Sequence, residues 1–266
     1  MTSPTIKTGI DAVAAMFEKA NSEVDQPLPF FTIGYPTYEQ SIETIVALAG
    51  ERVDGFEIGI PFSDPLADGP TIQIATQTAL NNGITVQKCL DAVQTLRERG
   101  VQQPMFMMGY VNPMLAYGVE RFVSAAKAAG ADGLIIPDLP PEEADMFASA
   151  CQREGLALVF FLAPTSNAER IELVAKHATG FIYLVSVTGI TGARTQLPPD
   201  LTDYIARVRA KTDKPLVLGF GISTPEHARQ LKGLVNGFIV ASALIKLRDV
   251  EKVRELGAAL RSALDD

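Results

Sequence analysis

The feature of this sequence that most constrains its fold is a regular alternation of short apolar runs with longer amphipathic segments. Each run is rich in β-branched and aromatic residues and is followed by a turn signal and a segment with helical periodicity. The predicted strands are residues 29–33, 55–60, 105–108, 133–136, 157–162, 181–185, 216–218 and 237–240. Strands that alternate with helices form a parallel sheet, and strands that are apolar throughout are typical of a sheet covered on both faces.

The number of these units predicts a closed barrel rather than an open sheet. The chain has 266 residues, 47% of them hydrophobic, which suits one large domain spanning residues 1–266. No linker, low-complexity tract or charge block divides it. An open doubly wound sheet is the alternative, but eight units without a second domain favour a (β/α)8 TIM barrel with an extra N-terminal helix. Function in such a barrel lies at the C-terminal ends of the strands.

Two capping boxes and a proline indicate where helices begin. Thr37 with Gln40, and Ser166 with Glu169, have the spacing that satisfies free amides at a helix start. Pro225 is expected in the first position of a helix.

Charge and composition exclude several classes of partner. The formal net charge is −8, from 23 Lys and Arg against 31 Asp and Glu, which argues against nucleic acid and anionic membranes. Cys89 and Cys151 fall in amphipathic segments, where reduced, buried side chains are expected. The first residues lack the features of a signal peptide, and no run approaches the ~18 apolar residues of a membrane helix. We therefore expect a cytoplasmic protein.

The second predicted strand carries a candidate catalytic carboxylate. Side chains alternate along a strand, so Glu57 points away from Phe56 and Ile58 and towards the barrel interior, between Gly55 and Gly59. Burial of an unpaired carboxylate raises its pKa towards the range useful in acid/base catalysis. A buried ion pair is the structural alternative, but no Lys or Arg occupies an inward strand position to serve it.

A second carboxylate, Asp68, lies in the loop above the same strand, where barrels build their sites. Asp64, in the same loop, precedes Pro65 and is interpreted as a turn residue. The two histidines, His177 and His227, fall on predicted helices of different units and are interpreted as surface residues. Two carboxylates without metal ligands suit proton transfer on the substrate.

Glycine-containing segments after the last three strands indicate a phosphate site. They comprise residues 189–193, 219–223 and 241–243, where backbone amides would face the anion; the first could also be a mobile lid. No complete dinucleotide-binding fingerprint follows any strand.

Residues 57–70, EIGIPFSDPLADGP, closely resemble the signature of tryptophan synthase α chains. The similarity extends from Pro29 to about Lys246 and includes residues 110–112, 137–140, 183–192 and 219–221. It implies cleavage of indole-3-glycerol phosphate to indole and D-glyceraldehyde 3-phosphate in tryptophan biosynthesis.

The resemblance also implies residue roles. Glu57 matches the general acid/base, and Asp68 the carboxylate that accepts a hydrogen bond from the indole N–H. Tyr183 matches a tyrosine beside the glutamate, and Thr191 a threonine of the lid. The phosphate site is expected at Gly192, Phe220, Gly221, Ala241 and Ser242. The indole pocket is expected at Phe30, Met108, Tyr110 and Ile135.

The resemblance implies no cofactor in this chain. The expected partner is the β chain, which carries pyridoxal phosphate and receives indole in an α2β2 complex. The apolar loop expected at residues 110–117 is a candidate docking surface, or alternatively a lid on the pocket.

Two observations refine the reading. The lysines are predicted in helices or at their ends, except Lys214, which precedes the seventh strand on the wrong face for a Schiff base. Ala241 stands where the family commonly has glycine, after a loop that looks one residue shorter. Its Cβ would either crowd the phosphate or sit in ordinary helical backbone, and the second interpretation is favoured.

Two alternatives remain at this point. One is another phosphate-binding TIM-barrel enzyme, an isomerase or epimerase of a sugar phosphate. The other is a catalytically silent regulatory subunit, which would have no use for a destabilising interior carboxylate.

Overall fold

The computed structural model, which describes residues 7–20, 26–185, 199–219 and 221–265, contains a closed barrel of parallel strands. Neighbours in the barrel follow the chain order, and β8 pairs with β1. The strands are β1 (Gln26–Thr32), β2 (Phe56–Gly59), β3 (Met105–Met108), β4 (Gly133–Ile135), β5 (Ala157–Leu162), β6 (Ile182–Val185), β7 (Leu216–Gly219) and β8 (Gly237–Val240). The predicted TIM barrel is confirmed. An open sheet is excluded, because its first and last strands would not pair with each other as β1 and β8 do here.

Helices surround this barrel and cover its outward-facing side chains. Within the described ranges they are α1 (Ile10–Ala20), α2 (Tyr38–Ala49), α3 (Pro70–Asn81), α4 (Val86–Glu98), α5 (Val111–Tyr117), α6 (Val119–Ala129), α7 (Asp145–Glu154), α8 (Ala168–His177), α9 (Leu201–Arg209), α10 (Pro225–Leu231), α11 (Ser242–Leu247) and α12 (Val250–Asp265). The extra N-terminal helix is α1. In the part of the chain that was described, no helix is long and apolar enough to cross a membrane.

Three local predictions can be compared with these elements. Thr37 caps α2 by accepting a hydrogen bond from the Gln40 amide, as predicted. The prediction for Ser166 is wrong: Asn167 caps α8, because the Ser166 hydroxyl accepts instead from the amide of Ala163. The segment at residues 110–117, expected to be a loop, is mostly helix α5.

The register of the strands decides which side chains enter the barrel. Phe30 pairs with Glu57, Glu57 with Phe106, and Gly59 with Met108, and paired residues of parallel neighbours share a face. Following this register around the barrel places one set of residues in the interior. The set is Leu28, Phe30, Thr32, Glu57, Gly59, Phe106, Met108, Gly133, Ile135, Ala157, Val159, Phe161, Tyr183, Val185, Val217, Gly219, Gly237 and Ile239.

Helix α1 closes the N-terminal end of this interior. The ring of Phe17 meets Phe181 edge-on at 5.9 Å between centroids, and Phe181 meets Phe106 at 5.1 Å. Met16 of the same helix lies so close to Gly55 that a Cβ there would be 3.2 Å from its sulfur. The interior is therefore packed at this end, and space for a ligand remains only towards the C-terminal ends of the strands.

A buried ion pair joins several elements at the N-terminal end. The carboxylate of Asp132, 1% exposed, accepts hydrogen bonds from Arg97 and from the amides of Gly9 and Met105. Arg97 also donates to three backbone carbonyls, those of Gly130, Val101 and Gln103. Burial of a charge is tolerated when it is paired and hydrogen-bonded in this way.

We predict that Asp132→Ala lowers the free energy of unfolding by about 3–5 kcal/mol, because it leaves the Arg97 charge and two amides without their acceptor. The matched control is Asp265→Ala, which breaks the exposed pair with Arg52 and should cost less than about 1 kcal/mol. Urea unfolding of both variants measures the difference. Equal losses in the two variants would contradict the prediction.

Candidate active site

Glu57 is a buried carboxyl group without a partner. It lies on β2 with 1% of its surface exposed, and its Oε1 has no hydrogen-bond partner in the described structure. No cation of the described residues forms an ion pair with it. Burial, and secondarily the nearby carboxyl of Asp68, raises the pKa of Glu57 well above its usual range. The raised pKa favours the protonated form of Glu57, which can donate a proton.

Asp68 lies in the loop between β2 and α3 and is held by a tyrosine. The hydroxyl of Tyr110 donates to Asp68 Oδ2 at 3.0 Å and accepts from the Ala67 amide at 2.9 Å. Burial raises the pKa of Asp68 to about 6, against the opposing effect of the Tyr110 hydrogen bond. At neutral pH this group is therefore the charged member of the carboxyl pair.

The position of Tyr183 on β6 depends on a neighbouring aromatic ring and on the space that a glycine leaves. Its ring stacks on Phe161 at 4.5 Å between centroids. A Cβ at Gly219, at the end of β7, would lie 2.1 Å from the Tyr183 hydroxyl, so glycine is needed there for the ring to keep its place. Burial raises the pKa of Tyr183, with further contributions from Glu57 and Asp68, which keeps the phenol neutral.

A cavity of about 250 Å³ unites these groups at the C-terminal end of the barrel. Eight of the predicted site residues line it: Phe30, Glu57, Asp68, Met108, Tyr183, Gly221, Ala241 and Ser242. The lining combines the two carboxyl groups with apolar side chains and with residues of the loops after β7 and β8. The lining thus suits a ligand with a flat apolar part and a polar tail.

Two other predicted residues that the structure describes, Tyr110 and Ile135, do not line this cavity. Tyr110 contacts Asp68 and lines a small adjoining cavity instead. Ile135 is fully buried in the interior, in register with Met108. Thr191, Gly192 and Phe220 lie outside the described residues, and their roles stay predictions.

Ile222, Ser223 and Ala243 also line the cavity, and they belong to the segments predicted to bind phosphate. Four lining residues were not predicted from the sequence as site residues: Gly69, Ile72, Ile239 and Lys246. Strand alternation from Gly237 would have indicated Ile239, and helical spacing from Ser242 would have indicated Lys246. Lys246 is the one cation among the described residues of the lining. The approach of α3 to β1, which brings in Ile72, had no signal in the sequence.

The backbone of the β7 and β8 loops bears on the expected phosphate site. Ala241 has φ −119° and ψ −79°, so its backbone lies outside the left-handed region that favours glycine, and it also lies outside the usual range of a helix. Gly221 has φ +90°, where other residues are strained. The expectation that His227 is on the surface is wrong: it is 2% exposed, because its Nδ1 accepts from the Ser223 amide beneath the loop.

The described residues contain no group of three or more His, Cys, Asp or Glu side chains arranged to hold a metal ion. His177, the last residue of α8, therefore belongs to no such group, and its Nδ1 lies beside the Leu173 carbonyl.

Comparisons with known proteins agree with one another. The family model described as tryptophan synthase alpha chain matches residues 17–262. A tryptophan synthase alpha chain from Roseiflexus sp. is 51% identical over 220 residues, which are 83% of this chain and 84% of that protein. One from Dehalococcoides mccartyi is 44% identical, over 95% of this chain and 99% of its own.

Solved structures give the same result. A tryptophan synthase structure from Mycobacterium tuberculosis superposes with a TM-score of 0.90 at 32% identity, covering 97% of this chain and 99% of that one. Tryptophan synthase subunit alpha from Legionella pneumophila gives a TM-score of 0.88 at 35% identity, covering 96% and 98%.

The raised pKa of Asp68 predicts how stability changes with pH. An aspartate in the unfolded chain titrates near ~3.9, so the folded state is penalised progressively as pH rises from about 4 to above 6. We expect the free energy of unfolding of Asp68→Asn to exceed that of the parent by about 1–2 kcal/mol near pH 8 and to equal it near pH 4. Chemical denaturation at both pH values measures this.

The control is Asp64→Asn, an exposed aspartate of the same loop, which should change stability by less than ~0.5 kcal/mol at either pH. An Asp68→Asn variant less stable than the parent at the higher pH would show that the charge is not penalised.

Proposed function

Because the chain belongs to the tryptophan synthase α chain family, we propose that this cavity cleaves indole-3-glycerol phosphate by carboxyl acid/base catalysis. The products are indole and D-glyceraldehyde 3-phosphate, and the reaction belongs to tryptophan biosynthesis. The observation that carries the mechanism is a buried, unpaired Glu57 facing the same apolar cavity as Asp68.

The first step is protonation of the indole ring. Glu57 gives its proton to C3, and the ring takes up positive charge that is shared with the nitrogen. Asp68, ionised at neutral pH, accepts a hydrogen bond from the indole N–H and offsets this charge. In an enclosed apolar site such a charge interaction is stronger than in water.

Cleavage follows from this charged ring. The bond between C3 and the glycerol side chain breaks, and its electron pair returns to the ring and restores indole. The hydroxyl on the departing carbon becomes the aldehyde and loses its proton, which the Glu57 carboxylate accepts, so the acid is regenerated. Tyr183, neutral beside Glu57, is proposed to orient that group.

The two ends of the substrate have matching surroundings. Phe30, Met108 and Ile72 line the cavity beside the carboxyl groups and are proposed to hold the ring. Gly221, Ala241 and Ser242, together with Gly192 and Phe220, are proposed to bind the phosphate, with Thr191 on a lid that closes towards Asp68. Lys246 adds positive charge at the phosphate end.

This lining also separates the proposal from its alternatives. A sugar-phosphate isomerase has no need of an apolar ring pocket, and a silent subunit has no need of an unpaired interior carboxyl. Because the substrate and one product are phosphorylated and do not cross membranes, we propose that the enzyme works in the cytoplasm.

We predict that Glu57→Gln lowers the rate of indole release at least ~10²-fold, because the amide cannot exchange the proton. The variant should remain folded, since a neutral amide is cheaper to bury than a carboxylate. The control is Glu255→Gln, at an exposed position on α12. Indole release by Glu57→Gln within tenfold of the parent would reject the assignment.

An α chain implies a β-chain partner, and we propose where it docks. Among the described residues after β2 and β3, the large apolar side chains that are exposed are Leu66 (91%), Ile74 (58%) and Leu115 (49%). Exposed apolar clusters of this kind mark interfaces. Tyr110, just before α5, and Met114 of α5 are buried, whereas Leu115 is exposed, so the segment both supports the site and offers a contact. The α2β2 assembly, with pyridoxal phosphate in the β chain, is part of this proposal.

We expect Leu66→Asp combined with Leu115→Asp to weaken binding of the β chain at least tenfold, about 1.4 kcal/mol, because carboxylates replace apolar contacts. Ile10→Asp is the control, an exposed apolar residue at the opposite end of the barrel. Sedimentation of mixed chains measures both. An unchanged affinity in the double variant would place the interface elsewhere.

A further inference from the structure

We propose that Thr32 holds a buried water molecule that fixes the position of the Asp68 carboxylate. The inference concerns a small cavity that adjoins the main one and that no step of the proposed reaction uses. Its kinetic consequences rest on the proposed function, whereas the water site itself does not.

The small cavity lies against Asp68 on the side towards β1 and β3. Its volume is about 10 Å³, and it shares Phe30, Asp68 and Met108 with the main cavity. The polar groups in its lining are the hydroxyls of Thr32, Thr76 and Tyr110 and the carboxylate of Asp68.

Thr32 is the unexplained residue of this lining. It is on β1, 2% exposed, and its Oγ1 has no hydrogen-bond partner in the described structure. Its register with Gly59 places the side chain in the interior, where glycine opposite leaves it room. Valine would fill the same space without an unsatisfied hydroxyl, so the hydroxyl needs a reason to be there.

A water molecule fits both the size and the chemistry. A cavity of about 10–15 Å³ holds one water, which typically makes about three hydrogen bonds. The Tyr110 hydroxyl already donates to Asp68 and accepts from the Ala67 amide. This leaves the Thr32 hydroxyl and the free carboxylate acceptor of Asp68 as the ends of a bridge, with Thr76 close by. A larger ligand has no room.

The bridge would position Asp68 through the carboxylate oxygen that the Tyr110 hydroxyl does not contact. The loop that carries Asp68 is largely exposed, with Asp64, Leu66 and Ala67 at the surface, so it lacks packing of its own. Tyr110 restrains one carboxylate oxygen, and the water would restrain the other through the rigid strand β1. Thr32 is thus a positioning residue that acts through the water, and Asp68 is the group that meets the substrate.

The structural experiment is a crystal structure of the parent and of Thr32→Val at a resolution that shows ordered water. We expect a water within about 2.7–3.2 Å of Thr32 Oγ1 and an Asp68 oxygen in the parent, and none in the variant. A parent without this water would overturn the proposal whatever its activity. An Asp68 carboxylate equally ordered and unmoved in the variant would overturn the positioning role.

The kinetic experiment compares Thr32→Val with Thr32→Ser. Loss of the water that donates to the Asp68 carboxylate should raise the pKa of Asp68. The acid limb of the pH profile for kcat/KM should therefore move up by about 0.5–1 pH unit in Thr32→Val. Its kcat should fall about tenfold, and serine should restore both within about threefold. A serine variant as impaired as valine, or an unmoved acid limb, would contradict the proposal.

The matched control is Thr44→Val, a buried threonine of α2 whose hydroxyl bonds only within its own helix, to the Gln40 carbonyl. It should leave kcat and the pH profile unchanged. If Glu57→Gln retained activity, the proposed function would fail, while the water between Thr32 and Asp68 could still be seen by crystallography.

Discussion

The alternation of side chains around a closed barrel is the constraint on which the site depends. Once β8 pairs with β1, the face of every strand residue is fixed, and a slip of one position would turn Glu57 outward into the helices. Glycines then decide how the interior is filled. A Cβ at Gly59 would lie 2.7 Å from the Phe30 ring, and one at Gly219 would collide with Tyr183. These two positions make room for aromatic walls around the carboxyl groups.

The barrel has a packed end and an open end, which differ in how their buried polar groups are paired. At the N-terminal end, Phe17 of α1 fills the opening, and the Asp132–Arg97 pair is satisfied by backbone groups from several elements. At the other end Glu57 keeps an unpaired oxygen. The N-terminal end thus holds a charged pair that is fully hydrogen-bonded, which favours stability. The C-terminal end holds a carboxyl group with an unpaired oxygen, which is less favourable for stability but suited to acid/base chemistry.

The unequal surroundings of the two carboxyls assign their roles. Glu57 has burial and a neighbouring carboxyl, both of which raise its pKa, and no hydrogen bond to oppose them. Asp68 has partial burial opposed by the Tyr110 hydroxyl, which leaves its pKa at about 6. Neutral pH therefore separates a proton donor from a charged acceptor within one cavity, without any difference in the side-chain chemistry itself.

The sequence by itself determined the class of fold and the inward direction of Glu57, because both follow from local periodicity and from alternation along a strand. It also indicated Asp68 and the glycine-bearing loops, since the end of a strand is visible in the chain. Only the tertiary structure decided which of these groups share a cavity. Ile135 faces the interior but does not line the cavity, His227 is buried, and Ile72 and Lys246 enter from helices α3 and α11. Packing between distant segments decides how the helices approach the barrel and how the Thr32 hydroxyl fits a small cavity. No local pattern in the sequence encodes this packing.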